Sequence, residues 1–177
     1  MDELFSRWGI TISPHQVRRM WNAPGRFYHS ETHLDDLLRQ ISVIQKQPDR
    51  DKLIIAAIFH DIIYDPAASD NEERSAIFLT EHCRSDVSDI AQIIRDTATH
   101  RPTTPLSAIF NEMDMDILNR DWPELQAWED GIFLEYSPHV GPTYKEKRLA
   151  FLRLYATPDH PNFTNLQKLI SYIELST

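Results

Sequence analysis

The chain has 177 residues, 41% of them hydrophobic and only 4 of them glycine; it can form one domain with a sizeable core, but it lacks the glycine for a phosphate-cradling loop, a dinucleotide fingerprint or a turn-rich β-sandwich. Acidic residues outnumber basic ones by 27 to 18, and the net charge of −9 sets up a field that repels nucleic-acid backbones and anionic membranes, while leaving room for a small phosphorylated substrate near a cation. A single cysteine, Cys83, excludes an internal disulfide and a cysteine-based zinc framework, and with no basic-apolar leader and no apolar run of ~18 residues the expectation is a soluble, cytoplasmic protein.

Helical periodicity runs through the chain. Ser13-Pro14 reads as an N-cap and first helical residue, with Val17, Met20 and Trp21 on one face and Pro24-Gly25 as the stop. Ser30 caps a second predicted helix bearing Leu34, Leu37, Leu38, Ile41 and Ile44, ending before Pro48. From Asp51 to Tyr64 the sequence is apolar on nearly every side, which marks a central, buried helix. Asp65-Pro66 ends it. Ser69 or Asp70 opens a helix up to about Cys83, and Ser85 opens another through Val87, Ile90, Ile93, Ile94 and Thr97. After a loop from Pro102 to Pro105, a helix carries Ile109, Phe110, Met113 and Ile117. Trp122-Pro123 begins the next, Pro138 to Pro142 breaks it, and Tyr144–Tyr155 and Thr164–Glu174 close the chain. The pattern predicts a single all-α domain, 1–177, of about eight to ten helices.

His60-Asp61 is the anomaly. It sits in the most apolar predicted helix, with no Lys or Arg within a turn on either side. A buried carboxylate without a positive partner costs several kcal/mol. Two readings stand: a hydrogen-bonded pair that locks the core, or two ligands for a divalent cation. His29 and His33, four apart at a helix start, share a face, and Asp114 and Asp116 lie among apolar residues on a late helix. These are the remaining candidate ligands. Arg26 and Arg101 flank the ligand-bearing segments as candidate phosphate clamps, with Tyr28 and Tyr64 beside the ligands. Lys145 and Arg148 are a solvated helix face or further phosphate contacts. His82 and Cys83 point about 100° apart on a helix, so Cys83 reads as an inert buried thiol rather than a nucleophile.

Five ordered blocks carry a resemblance. Arg26-Phe-Tyr-His-Ser-Glu-Thr-His33, Ala-Ala-Ile-Phe-His-Asp-Ile-Ile-Tyr-Asp-Pro66, Asp-Asn-Glu-Glu-Arg-Ser-Ala76, Ala-Thr-His100 and Met-Asp-Met-Asp-Ile-Leu118 resemble a bacterial subgroup of the HD superfamily of metal-dependent phosphohydrolases. The resemblance implies an all-α core and one divalent cation (Mn, Fe, Co, Ni, Mg or Zn) held by His33, His60, Asp61 and Asp116. Met115-Asp116-Ile117-Leu118 is similar to the context of the family's last ligand. On a regular helix Asp114 diverges from Asp116 by about 200° and would instead orient His33 or a water. His100 is the residue for a second metal, a phosphate contact or a helix C-terminus. Tyr64 stands where the stringent-response alarmone hydrolases carry glutamate, which leaves Asp65 or Glu72 to accept the proton. The signature of cyclic-di-GMP phosphodiesterases is absent. The implied activity is hydrolysis of a small phosphate ester, foremost a nucleotide, with Asp61, Asp65 and Glu72 catalytic and Arg26, His100 and Arg101 on the substrate. The alternative is an HD fold that keeps its metal as a structural clasp and binds a nucleotide or protein partner.

Overall fold

The computed structural model describes residues 1–46 and 49–176. They form ten α-helices: α1 (Asp2–Trp8), α2 (Pro14–Trp21), α3 (Glu31–Ile41), α4 (Asp49–Phe59), α5 (Asn71–Glu81), α6 (Ser88–Thr97), α7 (Pro105–Asp114), α8 (Trp122–Val140), α9 (Tyr144–Tyr155) and α10 (Phe163–Leu175). Two short 3-10 turns, Asp116–Asn119 and Gly141–Thr143, lie between α7 and α8 and between α8 and α9. Among the described residues there is no strand, only an isolated bridge between Ile10 and Cys83, and no helix is long and apolar enough to cross a membrane. The fold is all-α, as the periodicity predicts. The chain divides into two compact units, Met1–Asp114 and Met115–Thr177.

In the first unit α4 is the central element, packed against α3, α5, α6 and α7. Leu53, Ile55, Ala56, Ala57, Ile58 and Phe59 are all buried, which is what a helix without a polar face requires. α2 starts with the capping box that Ser13 and Gln16 encode: each side chain satisfies the other residue's backbone N–H. Its last residue, Trp21, is fully buried and donates its indole N–H to Ile58 O at 2.9 Å. This bond ties α2 to the end of α4, next to His60. Trp21→Phe is expected to lower unfolding free energy by about 1–3 kcal/mol, because it opens a cavity and removes the donor to a buried carbonyl. Urea denaturation measures this, and an unchanged midpoint would refute it.

Several boundaries differ from the expectations. α1 has no counterpart among them: it is seven residues long with only Leu4 and Phe5 buried, too short for a periodic signal, and it ends on Gly9 at φ 67°. α3 stops at Ile41 rather than running on through Ile44, and Pro48, the predicted stop, lies outside the described residues. α4 ends at Phe59, so His60 and Asp61 stand in the turn just beyond it rather than inside it. α6 starts at Ser88, where Asp86 Oδ1 accepts the Ser88 N–H, three residues later than expected. α7 ends at Asp114 rather than continuing through Ile117.

In the second unit, α8 continues through Pro138 to Val140, and the break falls on Gly141–Thr143 instead. A proline costs the helix one hydrogen bond near its end, which a 19-residue helix tolerates here. α9 turns Arg148 inward. Its Nε donates to Glu129 Oε2 at 2.6 Å, Tyr144 O–H donates to Glu129 Oε1 at 2.7 Å, and the guanidinium lies 3.9 Å from the Trp128 ring centroid. Arg148 is thus part of this unit's core, which corrects the solvated-face reading for that residue, while Lys145 is exposed and donates to Glu174 O and Ser176 O.

Candidate metal centre

Side chains from three segments of the first unit converge between α3, the end of α4 and the end of α7. His33 Nε2 lies 3.3 Å from His60 Nε2 and 3.1 Å from Asp114 Oδ1. His60 Nε2 lies 3.2 Å from Asp61 Oδ2 and 3.6 Å from Asp114 Oδ1. His33, His60 and Asp61 are buried, and each offers one ligand atom within 4.8 Å of the others. The walls are aromatic: Trp21 is 5.6 Å from the His60 ring, Phe110 is 5.5 Å from it edge-on, and Tyr28 is 4.9 Å from the His33 ring.

The donor set suits a divalent cation. His60 Nδ1 lies 3.0 Å from Ala57 O. A carbonyl only accepts, so the proton is on Nδ1 and Nε2 is the atom left for a cation. Two imidazole nitrogens 3.3 Å apart, facing two carboxylates, form a pocket of acceptors that requires positive charge at its centre. Without an ion, protons supply that charge. Burial lowers the His60 pKa, but Asp61 and Asp114 outweigh it and raise it to about 9. The same histidine holds the Asp61 carboxyl well below its usual range against the opposing effect of burial. Asp114 is also driven far down despite burial, chiefly by its bonds to His100 and His33. The field that keeps a proton on His60 is the field a divalent ion would exploit.

The late aspartate differs from the expectation. Asp114, not Asp116, faces the two histidines. Asp114 is the last residue of α7, and its other oxygen, Oδ2, is 3.3 Å from His100 Nε2. Asp116 begins a 3-10 turn in the second unit, where it pairs with Arg120 at 2.8 Å and accepts from Asn119 Nδ2 at 3.3 Å. The expected divergence of the two side chains assumed a regular helix through both, and the helix ends between them.

The rim is built from the remaining candidates. His29 precedes α3 rather than sharing a helical face with His33; its Nε2 is 4.0 Å from Asp61 Oδ2 and its ring packs at a tilt against Tyr64, 4.7 Å between centroids. His100 has φ 50°, the one positive φ at a non-glycine residue among those described; holding a side chain in that conformation costs of order 1–3 kcal/mol, and here it aims the imidazole at Asp114. Arg101 follows on an exposed loop. Arg26, expected to clamp phosphate, spends both terminal nitrogens on backbone carbonyls: Nη1 on His29 O at 2.9 Å, Nη2 on Asp61 O at 2.8 Å and Ile62 O at 3.2 Å.

Glu72 and Asp65 differ in availability. Asp65 Oδ1 accepts the Ala67 N–H at 2.9 Å and so closes its own turn. Glu72 is half-buried in the first turn of α5. Burial pushes its carboxyl up; its own backbone N–H opposes this, and the Asp61 charge adds to it. Sequence reasoning did not reveal what holds α5 here. Asn71 bridges Asp65 N–H and Asp65 O, and Ser75 Oγ bonds both Ile63 N–H and Ile63 O. Cys83 is half-buried rather than buried and donates to Trp8 O at 3.0 Å, while His82 stacks on Phe78.

An all-α fold with two imidazoles and two carboxylates closing on one point defines a class of divalent-cation centres built between helices. The chain belongs to the HD domain family, whose model matches residues 26–127, more than half its length. Members of that family are generally metal-dependent hydrolases. No curated protein and no solved structure matches the chain.

Proposed function

We propose that this protein is a metal-dependent phosphohydrolase acting on a small phosphate ester, with a nucleotide as the substrate class. The observation that carries the reading is the convergence of His33, His60, Asp61 and Asp114 on one point. A divalent cation bound there, Mn, Fe, Co, Ni, Mg or Zn by this ligand set, supplies Lewis acidity to a phosphoryl oxygen and acidity to water. The chain's own residues do the rest. Asp61 and Asp114 balance the charge, Glu72 on the rim accepts the proton of the attacking water, and His100 and His29 face the phosphoryl group as hydrogen-bond partners. Arg101 remains the candidate cation for the phosphate. The aromatic rim supports a substrate with a flat apolar part: Tyr28 and Tyr64 flank His29, and Phe27 beside them is 54% exposed.

The test is a panel of nucleoside phosphates and sugar phosphates assayed after chelation and after adding back each divalent ion. The expected result is about one bound ion per chain, as a single four-ligand cluster implies, with turnover that chelator abolishes and metal restores. A bound ion with no turnover of any ester would favour a structural clasp. Absence of bound metal, with melting unchanged on adding Mn, Ni or Zn, would refute both.

A further inference from the structure

The Arg26 guanidinium joins the two halves of the cluster through backbone rather than through side chains. His33 is delivered by the loop 26–30 and the start of α3, and His60-Asp61 by the turn after α4. Arg26 Nη2 takes the carbonyls of Asp61 and Ile62 in the turn after α4, at 2.8 and 3.2 Å, while Nη1 takes His29 O at 2.9 Å from the loop. The same guanidinium carbon lies 5.3 Å from the Trp21 ring centroid and 4.9 Å from that of Tyr64. Tyr64 in turn packs at a tilt against His29, whose Nε2 is 4.0 Å from Asp61 Oδ2. One planar cation thus fixes the loop before α3, the turn after α4 and the ring that supports His29.

From this geometry we infer that Arg26 is a positioning residue for the metal centre, setting the spacing of His33 against His60-Asp61, and is not a ligand for substrate phosphate. The inference rests on the reading of the cluster as a cation site. Three carbonyls on two nitrogens of a rigid fork require guanidinium. Lysine brings a point charge of different reach and cannot reproduce the span.

The test uses Mn²⁺ alone and then inorganic phosphate as probes, on the full chain carrying Arg26→Lys or Arg26→Gln, beside the unsubstituted protein. Far-UV circular dichroism confirms that each variant is folded, and the lysine variant keeps the charge if the glutamine variant unfolds. Expected is a loss of Mn²⁺ affinity of about 10–100-fold, the usual cost of removing a group that orients ligands, in the lysine variant as well as in the glutamine one. Phosphate affinity at saturating Mn²⁺ should stay unchanged. Millimolar guanidinium should restore part of the Mn²⁺ affinity of the glutamine variant, an effect that a loss of packing alone would not produce. Unchanged Mn²⁺ affinity with weakened phosphate binding would overturn the inference and make Arg26 a clamp. Failure of the unsubstituted protein to bind any divalent ion would instead remove the reading on which the inference stands.

Discussion

Asp114→Ala is expected to strip the protein of its divalent ion, and Asp116→Ala to leave the ion in place. Asp114 Oδ1 is 3.1 Å from His33 Nε2 and 3.6 Å from His60 Nε2, close enough for all three to share one ion. Its removal leaves two imidazoles and one carboxylate, and one negative charge fewer against a divalent cation. Asp116 spends its carboxylate on Arg120 and Asn119, a half-exposed pair worth about 0–1 kcal/mol. Asp116→Ala should therefore shift the melting temperature little and metal content not at all. Elemental analysis of both variants after dialysis decides the matter. Metal lost only from the Asp116 variant would overturn the role of Asp114 and make Asp116, in its family-like context, the ligand.

The two aspartates also show where sequence pattern stops being informative. Helix identity is readable because it depends on local chemistry: the Ser13-Pro14 start, the Pro24-Gly25 stop and the nearly continuous apolar run of α4 are all encoded by neighbours in sequence. His60-Asp61 stands out for the same reason, as charge in an apolar run. The choice between Asp114 and Asp116 depends on the residue at which α7 ends. A shift from a regular helix to a 3-10 turn at Met115–Asp116 swings the later side chain away from any direction a helical wheel assigns. Arg26, Asn71 and Ser75 escaped for another reason. Their partners are backbone carbonyls and N–H groups of residues 12 or fewer positions away for Asn71 and Ser75, and carbonyls both 3 and about 35 positions away for Arg26, and a backbone partner leaves no trace in residue identity. The sequence displays the charge of Arg26 and hides the three carbonyls it binds, which is why pattern alone points to phosphate.

On the proposed function, Glu72→Gln is expected to separate the roles of holding the ion and moving the proton. Burial raises the Glu72 carboxyl, and the groups that act on its charge are Asp61, His60 and His100, all of the cluster and its rim. Its charge is thus coupled to the cluster, and it is not among the four donors. Asp65 is the rival, but its Oδ1 already accepts the Ala67 N–H. Glutamine preserves the size of the side chain and cannot accept a proton at neutral pH. The expected result is a fall in kcat of about 10²–10⁴-fold, the range for loss of general acid–base catalysis, with metal content and melting temperature close to those of the unsubstituted protein. Asp65→Asn should cost far less in rate, since an asparagine side-chain oxygen still accepts the Ala67 N–H and keeps the turn closed. Rates and bound metal measured together on the two variants distinguish the alternatives. A large loss of rate in Asp65→Asn with Glu72→Gln unaffected would move the proton acceptor to the turn after α4. Loss of metal from Glu72→Gln would make Glu72 a fifth ligand rather than the base.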